Sequence, residues 1–442
     1  MALILVLLCF VLIVLSIVLF KGEIAAPSFL LSVAFFVSSF DVFLNKNSWY
    51  FNNNSTVTLI VVGILSFILG CFAINLVKPI ILHDDVQVSK EIISISSSRL
   101  FFYLILQLIL YLSIIIYICN VMGLGISLSG LSDAIGGYYS LTQSGTVSGL
   151  PGILNVGQII NTSGIYYLLF LLLKGHNYHL NISIILYLNL FVGIIGSLLT
   201  GTKTSFFMYL VAFMILYLFL KNDDFSEIQK ISIKSIIEFA LAILLIMLGF
   251  MVLSTLQGRN LANVNVSDTI SSYVGAPVKN LELFITSNRQ NRQIFGSQTF
   301  ADTYKWLYKV TGNDTFQIVN LYDYNWIFNT GLGNVYTLFM PLVNDFGYVG
   351  TYFVMFLLGC FCQICYNNAK FKNSKGPVNF KVIYYSYLSF AILFSFFSNK
   401  MFEMIFSRSG IYFIIGLYVF DFLLRRLSFD TYLMEDNNEF FS

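Results

Sequence analysis

Apolar runs of about twenty residues recur along the chain, near 2–20, 25–44, 56–77, 100–120, 150–173, 180–200, 204–221, 235–255, 346–366, 379–398 and 410–424. At ~1.5 Å per helical residue, a run of this length crosses the ~30 Å hydrocarbon core of a bilayer. Only 10% of the 442 residues are charged and 57% are hydrophobic, whereas a soluble domain carries roughly 25% charged residues. So few charges cannot clothe a water-soluble surface. The expected fold class is all-α: a polytopic membrane protein of about eleven (about 10–12) transmembrane helices, with the lipid bilayer as its first partner.

One long segment, 257–345, is too polar for hydrocarbon. It divides the chain into transmembrane helices 1–8 over 1–256, a large loop over 257–345, and helices 9–11 with a terminal tail over 346–442. Basic residues set the expected orientation. Lys21, Lys78, Lys90, Arg99, Lys174, Lys221, Lys230, Lys234, Lys370, Lys372, Lys375, Lys381, Arg425 and Arg426 fall on one side of the alternation, whereas the opposite short loops hold Lys46, Lys203, Lys400 and Arg408. The positive-inside rule then predicts a cytoplasmic C-terminus, an external N-terminus and an external loop. The first run lacks a basic lead and a small-residue cleavage site, so it reads as a retained helix.

Aromatic and aliphatic residues recur through the loop at a density that disordered segments lack. Pro277 to Asn288 reads as an amphipathic helix with Val278, Leu281, Phe284 and Ile285 on one face, and Phe300 to Val310 as a second. Both are expected on the outer membrane interface, with Trp306, Tyr308 and Trp326 at headgroup level.

Several chemistries lack their carriers. There is no phosphate-cradling Gly-x-x-x-x-Gly-Lys-Ser/Thr, no His-Glu-x-x-His and no Gly-x-Ser-x-Gly elbow. All six cysteines lie in apolar runs, and the spacing of Cys362 and Cys365 reads as helix packing. His83, His176 and His179 fall in loops on the basic side and read as solvated. No nucleic-acid partner is expected.

What remains is a set of external cations near helix ends. Lys203 stands in Gly201-Thr202-Lys203-Thr204-Ser205, where small residues let backbone and ammonium meet an anion; a lysine snorkelling at the membrane edge has the same appearance. Arg259 follows an apolar run and has the same two readings. Arg289 and Arg292 can present two guanidinium forks to one side of a helix, which suits phosphate oxygens or a solvated face. Arg408 lies between Ser407 and Ser409 at the outer start of the last run. Among the acids, Asp345 precedes a membrane helix as an expected N-cap, while Asp302, Asp314 and Asp323 are loop acids that can serve as a general base, with nothing in their spacing to choose among them. Loop aromatics such as Tyr324 and Trp326 can stack on sugar rings or anchor at the interface.

Two stretches resemble bacterial Wzy-type O-antigen and capsule repeat-unit polymerases. Gly201-Thr202-Lys203-Thr204-Ser205 is similar to that family's Gly-Ser/Thr-Arg/Lys-Thr segment. Gly333-Asn334-Val335-Tyr336-Thr337, with Asn344-Asp345-Phe346-Gly347-Tyr348-Val349-Gly350, resembles its Asn-Val-Tyr-Thr element and the Asp-Phe-Gly-x-x-Gly start of the following helix. The resemblance implies a GT-C-like architecture in a bacterial inner membrane and a glycosyltransferase that needs no metal or other cofactor. Its substrate would be an undecaprenyl-diphosphate-linked oligosaccharide, and a chain-length regulator and a flippase would be further partners. The growing glycan would pass from its lipid diphosphate to the non-reducing sugar of a new repeat unit.

On that reading Arg259, Arg289 and Lys203 offset the charge of the leaving diphosphate, with Lys203 as a point charge where many relatives carry arginine. Asp345, or an acid from 302–323, accepts a proton. Arg292, Arg408, Asn334, Tyr336, Tyr324 and Trp326 bind substrate. O-antigen ligases of the same superfamily use a loop histidine, which 257–345 lacks. The rival class is a lipid-linked oligosaccharide flippase or other secondary transporter, whose charges tend to lie within spans. Here the expected spans are nearly charge-free, Lys234 and Glu238 being the chief exceptions.

Overall fold

A computed structural model describes residues 1–77, 96–125, 128–143, 146–147, 149–177, 182–221, 266–287, 295–328, 330–370 and 378–424. The chain is mostly helical. Ahead of the polar loop come α1 (Ala2–Leu19), α2 (Pro27–Leu44), the single turn α3 (Lys46–Trp49), α4 (Asn54–Leu76), α5 (Ser97–Met122), α6 (Leu128–Gln143), α7 (Gly152–Asn177), α8 (Ile184–Gly196) and α9 (Thr204–Leu220). The loop holds α10 (Val266–Val274), α11 (Ala276–Thr286) and α12 (Ala301–Thr311), and α13 (Phe339–Lys370), α14 (Phe380–Leu393) and α15 (Arg408–Leu424) follow it.

Every expected span meets a helix except 235–255, which lies outside the described residues. Among the described residues six helices, α1, α2, α4, α5, α7 and α13, are long and apolar enough to cross a membrane, and shorter apolar helices run over Ile184–Thr200, Thr204–Leu220 and Phe380–Phe396. The protein is thus a helical membrane-embedded chain. α6 falls in the stretch where Gly and Ser dilute the apolar residues, and no span was expected there.

α7 is the central helix. Residues 163–171 are buried without a break, the mark of a helix surrounded on all sides. Tyr166 packs edge-on against Tyr209, Tyr387 and Phe413, and its hydroxyl donates to the Met208 carbonyl at 3.1 Å, so a polar atom deep in the bundle is satisfied. α4 and α13 form the closest helix pair. A Cβ on Gly70 would lie 2.1 Å from the Phe356 carbonyl oxygen, and one on Gly359 would lie 2.1 Å from that of Phe67. Bare backbones therefore touch, as at small-residue crossings of membrane helices. Cys71 donates to the Gly359 carbonyl at 3.3 Å and Cys360 to that of Gly70 at 3.4 Å, and all six cysteines are free.

α13 begins at Phe339, ahead of the expected start near 346: residues 339–345 are all buried, and Pro341 is tolerated in the first turn, where a missing N–H costs nothing. The helix breaks at Gly347 (φ 68°, ψ −172°), a conformation essentially reserved for glycine. The buried half-helix Phe339–Asp345 thereby turns under the loop before the long apolar half begins.

The loop is a packed cap. The two helices expected within it are present as α11 and α12, and α10 is an addition. α11, however, is not an exposed amphipathic helix. It is wedged against α2 and α4 with Lys279, Asn280 and Glu282 buried beside Val278, Leu281 and Phe284. Its polar face can be buried because it is paired internally. Lys279 and Glu282 form a salt bridge, and Glu282 Oε1 accepts the Asn52 and Asn53 backbone N–H groups, each at 2.7 Å. A two-stranded antiparallel hairpin, β1 (Asn325–Ile327) with β2 (Thr330–Gly333), departs from a purely helical expectation.

Candidate functional site

Beneath this cap, where α8 and α14 end and α9 and α15 begin, two chambers adjoin. They share Thr202, Thr204 and Lys400 in their walls.

The first chamber encloses about 690 Å³. Its floor is the Gly201-Thr202-Lys203-Thr204 turn. Gly201 has φ 74°, which ends the turn Ser197–Thr200 and reverses the chain into α9; a side chain there would also collide with Tyr139. Lys203 is consequently the N-cap of α9, and it is buried, at 8% exposure. A cation at a helix N-terminus opposes the helix dipole, so capping does not explain it. Its Nζ lies 5.6 Å from the centre of the Tyr273 ring, which in turn stacks on Phe397. Gly331, Gly333 and Asn334 of the hairpin segment form the roof, and Tyr324 stands at the side.

The second chamber, about 490 Å³, is lined by Asp302, Glu403, Lys305 and Lys400 together with Gln158, Thr162, Gln298, Tyr322 and Asn399. Lys400 pairs with Glu403 at 2.6 Å across the π-helical turn Met401–Ile405, a geometry that recurs at functional sites. Burial pushes the Asp302 carboxyl above its ordinary range. The Glu403 carboxylate adds to that push, while Lys305, Arg408 and Lys400 oppose it. Burial also raises Tyr322, aided by Glu403, Asp345 and Asp302, so its hydroxyl stays protonated at neutral pH.

The expected site residues divide. Lys203, Asn334 and Tyr324 meet in the first chamber. Trp326 is 63% exposed, packs against Tyr324 and lines neither chamber. Tyr336 is buried, and its hydroxyl donates to the Asp323 carbonyl at 3.1 Å and accepts from Asn325 at 2.8 Å, which fixes the hairpin. Arg408 is exposed and sits over the Trp306 ring. Asp345 lies inside α13 and does not cap it. Its carboxylate accepts the Thr299 N–H at 2.7 Å and the Gln298 N–H at 3.4 Å, with Asn344 Nδ2 at 3.0 Å. It holds the wall of the second chamber from behind. Arg259, Arg289 and Arg292 lie outside the described residues.

Two wall residues had no role in the sequence reading. Lys400 enters the sequence argument only through the charge balance across the membrane, and Glu403 not at all. The available signal was a Lys-x-x-Glu pair between two apolar runs, where no charge is needed for solubility. Compared with protein-family models, with curated proteins and with solved structures, the chain matches none.

Proposed function

We propose that the chain is a Wzy-type polymerase. On this reading it joins undecaprenyl-diphosphate-linked oligosaccharide repeat units into O-antigen or capsular polysaccharide on the outer face of a bacterial inner membrane. It transfers the growing glycan to the non-reducing sugar of a new unit without a metal.

The observation that carries the reading is the buried Lys203 at the N-terminus of α9, facing a chamber large enough for a diphosphate and its first sugar. An anion there meets helix N–H groups, the helix dipole and an ammonium together. Lys400 adds a second charge at the chamber's edge. Cations preorganised away from water stabilise the charge that grows on a departing diphosphate more than they stabilise the bound substrate, and that difference is catalysis. Arg259, Arg289 and Arg292 are assigned to the same leaving group.

The test is reconstitution in vesicles with lipid extracts from source cells deleted for the chain, in which lipid-linked repeat units would accumulate. A ladder of longer lipid-linked glycans is expected. Passage of intact units between leaflets without elongation would make the protein a flippase.

A further inference from the structure

The two chambers differ in charge. Among the described residues the wall of the first holds Lys203 and Lys400 and no carboxylate, whereas the second sets Asp302 and Glu403 against Lys305 and Lys400, with neutral donors and acceptors between them. A wall whose two carboxyls and two ammonium groups offset one another gives a diphosphate no net attraction, whereas its mixed donors and acceptors suit a neutral polyol. Asn399 supplies a separate observation. It is 3% exposed, its Nδ2 donates to the Thr299 carbonyl at 3.1 Å, and its Oδ1 has no hydrogen-bond partner although the residue lines the second chamber. A buried acceptor left unmade costs about 1–3 kcal/mol, and a sugar hydroxyl is a donor of suitable size.

We propose that the second chamber is the acceptor subsite, which binds the non-reducing sugar of the incoming unit, and that Asp302 is the catalytic base, with Glu403 as the neighbour that tunes it. This rests on the polymerase reading and deepens it. The acceptor hydroxyl oxygen forms a bond to C1 of the sugar held in the first chamber. The bond from C1 to the diphosphate oxygen breaks, its electron pair leaving on the diphosphate, and the hydroxyl proton passes to the Asp302 carboxylate. The chambers join at Thr202, Thr204 and Lys400, so a sugar held at that junction borders both.

The groups that face Asp302 are Glu403, Lys400 and Arg408 from the segment joining α14 to α15 and the start of α15, Lys305 on its own helix, and Tyr322 from the loop after α12. Glu403 holds the carboxyl's proton on and the three cations loosen it. Elongation by wild type, Asp302→Asn, Asp302→Glu and Glu403→Gln is therefore followed as a function of pH in the reconstituted system.

Asp302→Asn is expected to slow elongation by about 10²–10⁴-fold at undiminished thermal stability, with partial recovery in Asp302→Glu. Glu403→Gln, which removes a negative neighbour, is expected to move the acid limb of the rate profile to lower pH. Should Asp302→Asn fail to fold, Asp302→Glu and Glu403→Gln decide the matter. Wild-type rates in Asp302→Asn, or a Glu403→Gln profile that overlays wild type, overturn the assignment while the polymerase reading stands. Absence of elongation by the wild type overturns both.

Discussion

The Asp345 carboxylate accepts the Thr299 backbone N–H at 2.7 Å from inside a neighbouring helix. With the Gln298 N–H on the same carboxylate, that contact ties the half-helix before the Gly347 break to the wall of the second chamber. Hydrogen bonds to a charged acceptor contribute about 1.5–3 kcal/mol. Asp345→Asn is expected to lower the thermal midpoint in detergent, since the new amide would set a donor against the Gln298 and Thr299 donors. Elongation should fall in parallel with stability. A dead but fully stable Asp345→Asn would instead return Asp345 to the role of base.

The contact between α4 and α13 gives a second prediction. Gly359→Ala places a Cβ 2.1 Å from a backbone carbonyl that cannot swing away, so the helices must part. The expected cost is about 1–3 kcal/mol or more, read as a lower yield of monodisperse protein. Gly152→Ala, at the first residue of α7 with open space around its Cβ, is expected to be neutral.

How far the sequence reveals this architecture depends on the range of the interactions involved. Apolar runs report helices because hydrogen bonding in hydrocarbon is a local demand, and so α1, α4 and α9 fall where expected. Gly201 enters the sequence reading only as a small residue beside Lys203, and its left-handed turn emerges with the fold. The α13 start was not legible: Asn344-Asp345-Phe346-Gly347 looks like a helix beginning, and only packing continues the helix back to Phe339. The choice among Asp302, Asp314 and Asp323 was equally hidden. Asp314 and Asp323 are exposed, and Asp302 is set apart by burial and by Glu403, far away in sequence. α11 shows the converse error, a helix judged amphipathic by its pattern whose polar face is consumed by an internal ion pair.

That pair yields a third prediction. Lys279 and Glu282 are both buried, so removing one charge strands the other. Glu282→Gln is expected to destabilise the protein by about 3–5 kcal/mol, and it also weakens the acceptor for the Asn52 and Asn53 N–H groups. Lys279→Met combined with Glu282→Gln should recover part of the loss. Denaturation of the purified single and double variants measures the coupling.

Asp302 links stability to pH. Its folded carboxyl holds the proton more tightly than an unfolded one, so the folded state binds more protons between the ordinary carboxylate range and the raised folded value. Stability from this group is complete below that window and declines as pH rises through it. Wild type minus Asp302→Asn, compared by thermal midpoint at successive pH values, should grow more negative with rising pH and then level off. A difference that is flat across the acid range would remove the proton-affinity argument.

Lys203 carries the largest expected effect on chemistry. Lys203 is buried at the start of α9 with its Nζ 5.6 Å from the Tyr273 ring centre, so Lys203→Met deletes the charge while keeping an unbranched side chain. Loss of one preorganised donor at a developing anion costs on the order of 10²–10³-fold in turnover, read per folded molecule. Lys203→Arg keeps the charge with a larger, planar head and is expected to retain most of the activity. Arg259→Ala and Arg289→Ala should likewise abolish chain growth in folded, inserted protein. Single-turnover elongation assays on all four variants separate the roles: a uniform loss of binding with intact turnover would make these cations anchors for the diphosphate, whereas a fall in turnover places them at the breaking bond.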